Sequence, residues 1–318
     1  MLHNIPFSIP EQFASGLTDG SIVRIGTLLK DAETGKILAH VQESGLGQAL
    51  SLPFSPFSFD PVGLAQNLQL KQMMEHLALL QYTNIGIAAV SLGVSVIGFI
   101  HLHKKIKGLE SSIETLSKKM DKHFQELYER EMRRRFVDIH ALFGQLEQLQ
   151  HFSSLDYKRT RSVDIESGLC FSSEFLCGEI AHHWDQDKFD LNWFNTLVSC
   201  LLVCDSSRIQ CLLMSDEMSA AKHTSAKIAE TYCDLFDAMG PVKLSNKILA
   251  NTDEKSLIDY KKIEWDASKV TEGLSEVTNS SLTKVLLIEH LIDKSISGNQ
   301  FISEMNANTK HPIILLEA

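Results

Sequence analysis

Ile85-Gly86-Ile87-Ala88-Ala89-Val90-Ser91-Leu92-Gly93-Val94-Ser95-Val96-Ile97-Gly98-Phe99-Ile100 is the densest apolar stretch of the chain, and its reading decides the fold. No Asp, Glu, Lys or Arg occurs from Leu77 to Leu102. A membrane-spanning helix needs about 20 predominantly apolar residues. Counted from Leu79 to Leu102 the run meets that length, although Gln81 and Asn84 weaken its first turn. Lys104, Lys105 and Lys107 follow at once, as on a cytoplasmic flank, while only Lys71 lies close on the other side.

Small residues recur within the run at helical spacing. Ala89 and Gly93 are four apart, Ser91 and Ser95 are four apart, and Gly86 and Gly93 are seven apart. In lipid such positions let two helix backbones approach closely, because no bulky side chain holds them apart. A buried core helix is the other reading, since small residues permit the same approach there. Gly86, Gly93 and Gly98 would each cost a soluble helix about 1 kcal/mol relative to alanine. That cost and the lysine border favour membrane contact. A helix held in the soluble fold and released later fits the same residues.

A coiled-coil seam adjoins the run. Ile106, Leu109, Ile113, Leu116 and Met120 follow a 3-4-3-4 spacing with Glu110, Glu114, Lys118 and Lys119 between them. The seam drifts at His123 and Phe124, so it covers about two heptads. It serves either self-association or packing on the C-terminal part of the same chain. Upstream, SLPFSPFSFDP at residues 51–61 is an extended linker, and Asp60-Pro61 gives a helix start with an N-cap and a first-turn proline. No proline recurs until Pro241, so a long helix can run from about residue 61 to about residue 150.

The N-terminal region reads as a β-hairpin. Ile22–Ile25 and Leu28-Leu29 form one arm, Asp31–Gly35 the connection, and Lys36–Val41 the other arm. Gly45-Leu46-Gly47 lacks the third glycine of a dinucleotide loop and reads as a turn. Met1–Ala14 contains Pro6 and Pro10 and has neither a basic start nor an apolar core, so a secretory signal is not expected.

From residue 136 the pattern is helical. Phe136, Ile139, Phe143, Leu146 and Leu149 recur at three and four, as do Trp193, Leu197, Leu201 and Cys204. Further helices are expected at 214–239, 242–250, 267–278 and 281–296. Pro312–Leu316 reads as a short strand or a docked tail. The expected fold is mainly α: residues 1–60 a hairpin and linker, 61–135 a long apolar and coiled-coil helix, and 136–318 a helical bundle.

Composition narrows the function. The chain has 318 residues and a net charge of −10, which argues against a nucleic-acid partner. Residues 1–102 carry 4 basic and 7 acidic side chains, residues 103–162 carry 13 and 9, and residues 163–318 carry 13 and 24. The positive part thus begins where the apolar run ends. Arg130, Arg133, Arg134 and Arg135 cluster, but Glu126, Glu129 and Glu131 beside them favour a solvated, ion-paired face; Lys158, Arg159 and Arg161 form a second such group. Cys170, Cys177, Cys200, Cys204, Cys211 and Cys233 sit among apolar residues and read as reduced, buried thiols.

Catalytic motifs are few. Glu179-Ile180-Ala181-His182 has the Glu-x-x-His spacing of di-iron bundles, but the sequence holds no second copy. Cys200 and Cys204 lack the second pair that a zinc site needs. No phosphate-binding loop, His-Glu-x-x-His or Gly-x-Ser-x-Gly occurs. No enzyme activity, cofactor or metal is expected from these residues.

In layout the Ile85–Ile100 stretch, the Lys104-Lys105 boundary and the Ile106–Met120 heptads resemble α-helical membrane-acting proteins. These are helical pore formers and the small membrane effectors of bacterial antiviral defence and toxin systems. The resemblance covers about 45 residues and carries no specific motif, so it transfers no functional residue. Pore formers often carry a paired hydrophobic hairpin, and this chain shows one segment. The resemblance implies a membrane-associating, self-assembling protein with lipid and further copies of itself as partners, and a protein partner left open. Its place would be the inner, cytoplasmic membrane, with a cytosolic C-terminal domain. The alternative is a soluble cytoplasmic adaptor or sensor with the apolar helix in its core.

Overall fold

The computed structural model describes residues 11–25, 28–41, 122–149, 152–187, 189–250, 257–307 and 313–314. The long apolar run and the heptad seam lie outside the described residues. The protein is mostly helical, with a small sheet near the N-terminus and a helical region after it, as the sequence implies.

Helix α1 (Glu11–Asp19) precedes the sheet strands β1 (Ile22–Ile25), β2 (Leu28–Asp31) and β3 (Ile37–Val41). The arm read from the sequence as continuous is two strands: β1 pairs antiparallel with β2, placing Ile25 opposite Leu28 and Ile22 opposite Asp31. The second connection was correctly placed. Asp31 Oδ1 accepts from the backbone N–H groups of Glu33 and Thr34 and from the Thr34 hydroxyl, and Gly35 takes a φ of +69° that glycine adopts without strain. Leu29 and Ala39 are buried against Phe13, Leu17 and Ile22. The helix α1 that supplies Phe13 and Leu17 was not foreseen. The C-terminal tail resolves as β4 (Ile313–Ile314), which pairs with β3 through His40–Ile314 and Val41–Ile313.

Seven helices follow among the described residues: α2 (Lys122–Gln148), α3 (Leu155–Asp185), α4 (Leu191–Met214), α5 (Met218–Phe236), α6 (Pro241–Ala250), α7 (Leu257–Asp293) and α8 (Gly298–Ala307). Phe136, Ile139, Phe143, Leu146 and Leu149 are all buried, as their spacing demands. α2 begins upstream of residue 136 and buries Met132 in the same core. Ser154 caps α3, its hydroxyl accepting from Tyr157 N–H at 3.3 Å, and Asp190 caps α4, its Oδ1 accepting from Trp193 N–H at 3.1 Å. The helices expected at 267–278 and 281–296 are one: α7 continues unbroken through Asn279-Ser280-Ser281 and ends at Asp293. The polar residues there suggested a break by propensity, and burial against neighbouring helices overrides so small a preference.

Helix α4 lies at the centre, packed against α3, α5 and α8. Every residue from Leu201 to Leu213 is buried, on all sides of the helix. Asp216 closes the α4–α5 turn at a φ of 60°, where a short polar side chain is tolerated. The start of α8 docks on that turn: Asn299 donates from its backbone N–H to Asp216 Oδ1 at 3.0 Å and from Nδ2 to the Met214 carbonyl at 2.9 Å. Gly298 is required here, because a Cβ would overlap the Leu213 carbonyl. Arg24 on β1 meets Glu276 on α7 at 3.0 Å and ties the sheet to the bundle.

Candidate functional site

The residues expected to act in membrane contact and self-association are Gly86, Ala89, Ser91, Gly93, Ser95, Lys104, Lys105, Ile106, Leu109, Ile113, Leu116 and Met120. All lie outside the described residues. The weaker candidates are placed. Glu179 is partly buried, whereas His182 is exposed and its Nε2 meets Gln186 Nε2 at 2.7 Å. His183, next to it, is buried against Phe189 with ring centroids 5.1 Å apart. Burial pulls its proton affinity below the usual range, and its Nε2 lies 3.0 Å from the Asp190 carbonyl and 3.1 Å from the Asp190 N–H, donating to the one or accepting from the other according to its tautomer. Among the described residues no group of three or more His, Cys, Asp or Glu side chains is placed to hold a metal.

All six cysteines are free. Burial pushes the Cys177 thiol up to about 12 and raises Cys200, Cys204 and Cys211 well above their ordinary value, so they persist as thiols rather than nucleophilic thiolates. Three arginines of the basic clusters are paired. Arg135 meets Glu131 at 2.8 Å and lies 5.1 Å over the Phe175 ring; Arg159 meets Asp216 at 3.1 Å and Arg161 meets Asp164 at 3.3 Å.

A polar centre that periodicity did not reveal sits in the middle of α4. Asp205 and Arg208 are the two charged residues of that helix, one turn apart, and both are buried. Asp205 Oδ1 accepts from the Ser173 hydroxyl on α3 at 2.7 Å and from Arg208 Nη1 at 3.1 Å. Its Oδ2 accepts from the Tyr232 hydroxyl on α5 at 2.8 Å. Arg208 Nε donates to Glu166 Oε1 on α3 at 3.0 Å. Burial raises the Asp205 carboxyl above the usual carboxylate range, against the downward pull of Arg208 and the two hydroxyls. The same burial, with the nearby Asp205 charge, holds the Tyr232 phenol protonated far above its ordinary value. Asp205 thus joins three helices and has few lone pairs left for chemistry.

The sequence did carry a trace of this centre. A charge pair at i, i+3 inside an otherwise uncharged 24-residue helix marks a desolvated site. The stripe of Trp193, Leu197, Leu201 and Cys204 drew the reading to apolar packing instead. One more charge lies close: Lys284 on α7 is 7% exposed and feels the Asp205 charge, with no hydrogen bond or ion pair of its own among the described residues. Compared with protein-family models, with curated proteins and with solved structures, the chain matches none.

Proposed function

We propose that this chain is a non-enzymatic helical protein that engages a membrane through residues 79–102 and self-assembles through residues 85–120. The bundle of residues 136–318 would be its cytosolic domain. On this reading it is a membrane-disrupting effector of the kind found in bacterial defence or toxin systems. The observation that carries the proposal is the uncharged run Leu77–Leu102, bordered by Lys104 and Lys105 and continued by the Ile106–Met120 heptads. The bundle adds support. Among the described residues one helix, Trp193–Met214, is long and apolar enough to cross a membrane, and 94% of its apolar window is buried within the molecule. With Asp205 and Arg208 at its middle it is suited to a core, which leaves the membrane role to residues 79–102.

Trp193–Met214 also favours a second reading, because this chain buries a membrane-length apolar helix within its helical bundle. By the same physics residues 79–102 would be core and the protein a soluble adaptor or sensor. Fractionating cells that express the full chain separates the two. The membrane reading expects the protein in the membrane fraction in at least its assembled state, and solubility in every state would defeat it.

A further inference from the structure

Unpaired polar groups gather on one turn of α7. Ser280 and Ser281 are 1% and 3% exposed, and neither hydroxyl has a hydrogen-bond partner. Lys284, one turn on, is 7% exposed and makes no hydrogen bond or ion pair among the described residues, and its ammonium, unlike the two hydroxyls, is not fully enclosed. At about 100° per residue the three positions share an arc of about 100° on one helix face. The intervening Thr283 is different, its hydroxyl turning back to the Ser280 carbonyl at 3.0 Å.

Such a turn is costly as it stands. A buried hydroxyl left unpaired forfeits its hydration, and an ammonium drawn mostly out of water forfeits part of its own unless an anion meets it. The opposite charge that it feels is Asp205, which already accepts from Ser173, Tyr232 and Arg208. The unmet need is for acceptor oxygens bearing negative charge, facing one ammonium and two hydroxyls. We propose that Ser280, Ser281 and Lys284 form a site for a small oxyanion, a phosphate or carboxylate group. The site depends on neither reading of the apolar run. Burial lowers Lys284 to about 8, so the ammonium is still charged at neutral pH and can hold the anion.

Thermal melting of the full chain at pH 7 tests this, in inorganic phosphate and in acetate against chloride at equal ionic strength. The site predicts a melting temperature several degrees higher in at least one oxyanion than in chloride, and which of the two raises it tells phosphate from carboxylate. Lys284→Met should lose that rise, and the double variant Ser280→Ala/Ser281→Ala should reduce it. The double variant alone decides the matter if Lys284→Met does not fold. Phosphate also stabilises proteins generally by exclusion from their surface, so an equal rise in wild type and variants overturns the site. So does the absence of any rise in wild type.

Discussion

Two apolar stretches of similar length run through this chain, and they differ in how charge is placed on them. Trp193–Met214 carries Asp205 and Arg208 at its middle, and both are met by partners from neighbouring helices. Leu77–Leu102 carries no charge inside and a lysine cluster at its end. An interior charge pair is tolerable where protein supplies hydrogen bonds on every side, and it is expensive in lipid. A charge-free run with a basic border suits a bilayer. Hydropathy alone equates the two; the position of the charges separates them.

The largest expected effect tests the first half of that contrast. Asp205→Ala leaves Arg208 buried with Glu166 alone and strips acceptors from Ser173 and Tyr232. Breaking a buried pair in this way costs about 3–5 kcal/mol, to be read from denaturant unfolding. A loss below about 1 kcal/mol would mean that the centre does not hold α3, α4 and α5 together.

Lys284→Met should act in the opposite direction, stabilising by about 1–4 kcal/mol in chloride, because an apolar side chain replaces an uncompensated charge. Its pH dependence follows from linkage. Lys284 falls from 10.5 to about 8 on folding, so the unfolded chain binds more protons between those values and stability rises with pH across that window. The cost is present in full below about pH 8. Of the groups packed near it, Tyr232 on α5 is held protonated well above its ordinary value, and burial raises the Asp205 carboxyl on α4 above the usual carboxylate range. The variant should flatten the profile between pH 8 and 10, and an unchanged slope would assign it to other groups.

Gly93→Leu tests the other stretch. If Ala89 and Gly93 bring two helices together in lipid, assembly measured by crosslinking weakens while membrane partitioning holds or increases. If the run is soluble core, the added bulk costs about 1–3 kcal/mol of monomer stability instead. The smallest effect belongs to the surface: Arg135→Ala removes a half-exposed pair with Glu131 and should cost under about 1 kcal/mol.

What was legible in the sequence follows the range of the interactions. The stripe from Phe136 to Leu149 is a local pattern, repeated each turn, and all five residues are in the core. The Asp31–Gly35 connection was legible because its hydrogen bonds close within three residues. The β1–β2 reversal was missed although Gly26-Thr27 separates Ile25 from Leu28 in the sequence, because runs of only four residues on either side gave too little pattern to count as separate strands. The polar centre was hidden for a different reason. Asp205 finds Ser173 and Tyr232 at separations of 32 and 27 residues, and Arg208 finds Glu166 at 42. Those meetings exist only once α3, α4 and α5 are packed. The break expected between residues 278 and 281 is absent, because burial of Ser280 and Ser281 against neighbouring helices keeps α7 intact there.

The central contrast is tested most directly by photolabelling the full chain, mixed with anionic vesicles, using a carbene reagent confined to the lipid phase and mapping the labelled peptides. The account predicts label within residues 79–102 and none within Trp193–Met214. Label in Trp193–Met214, or none in 79–102 under conditions where the protein assembles, would contradict it.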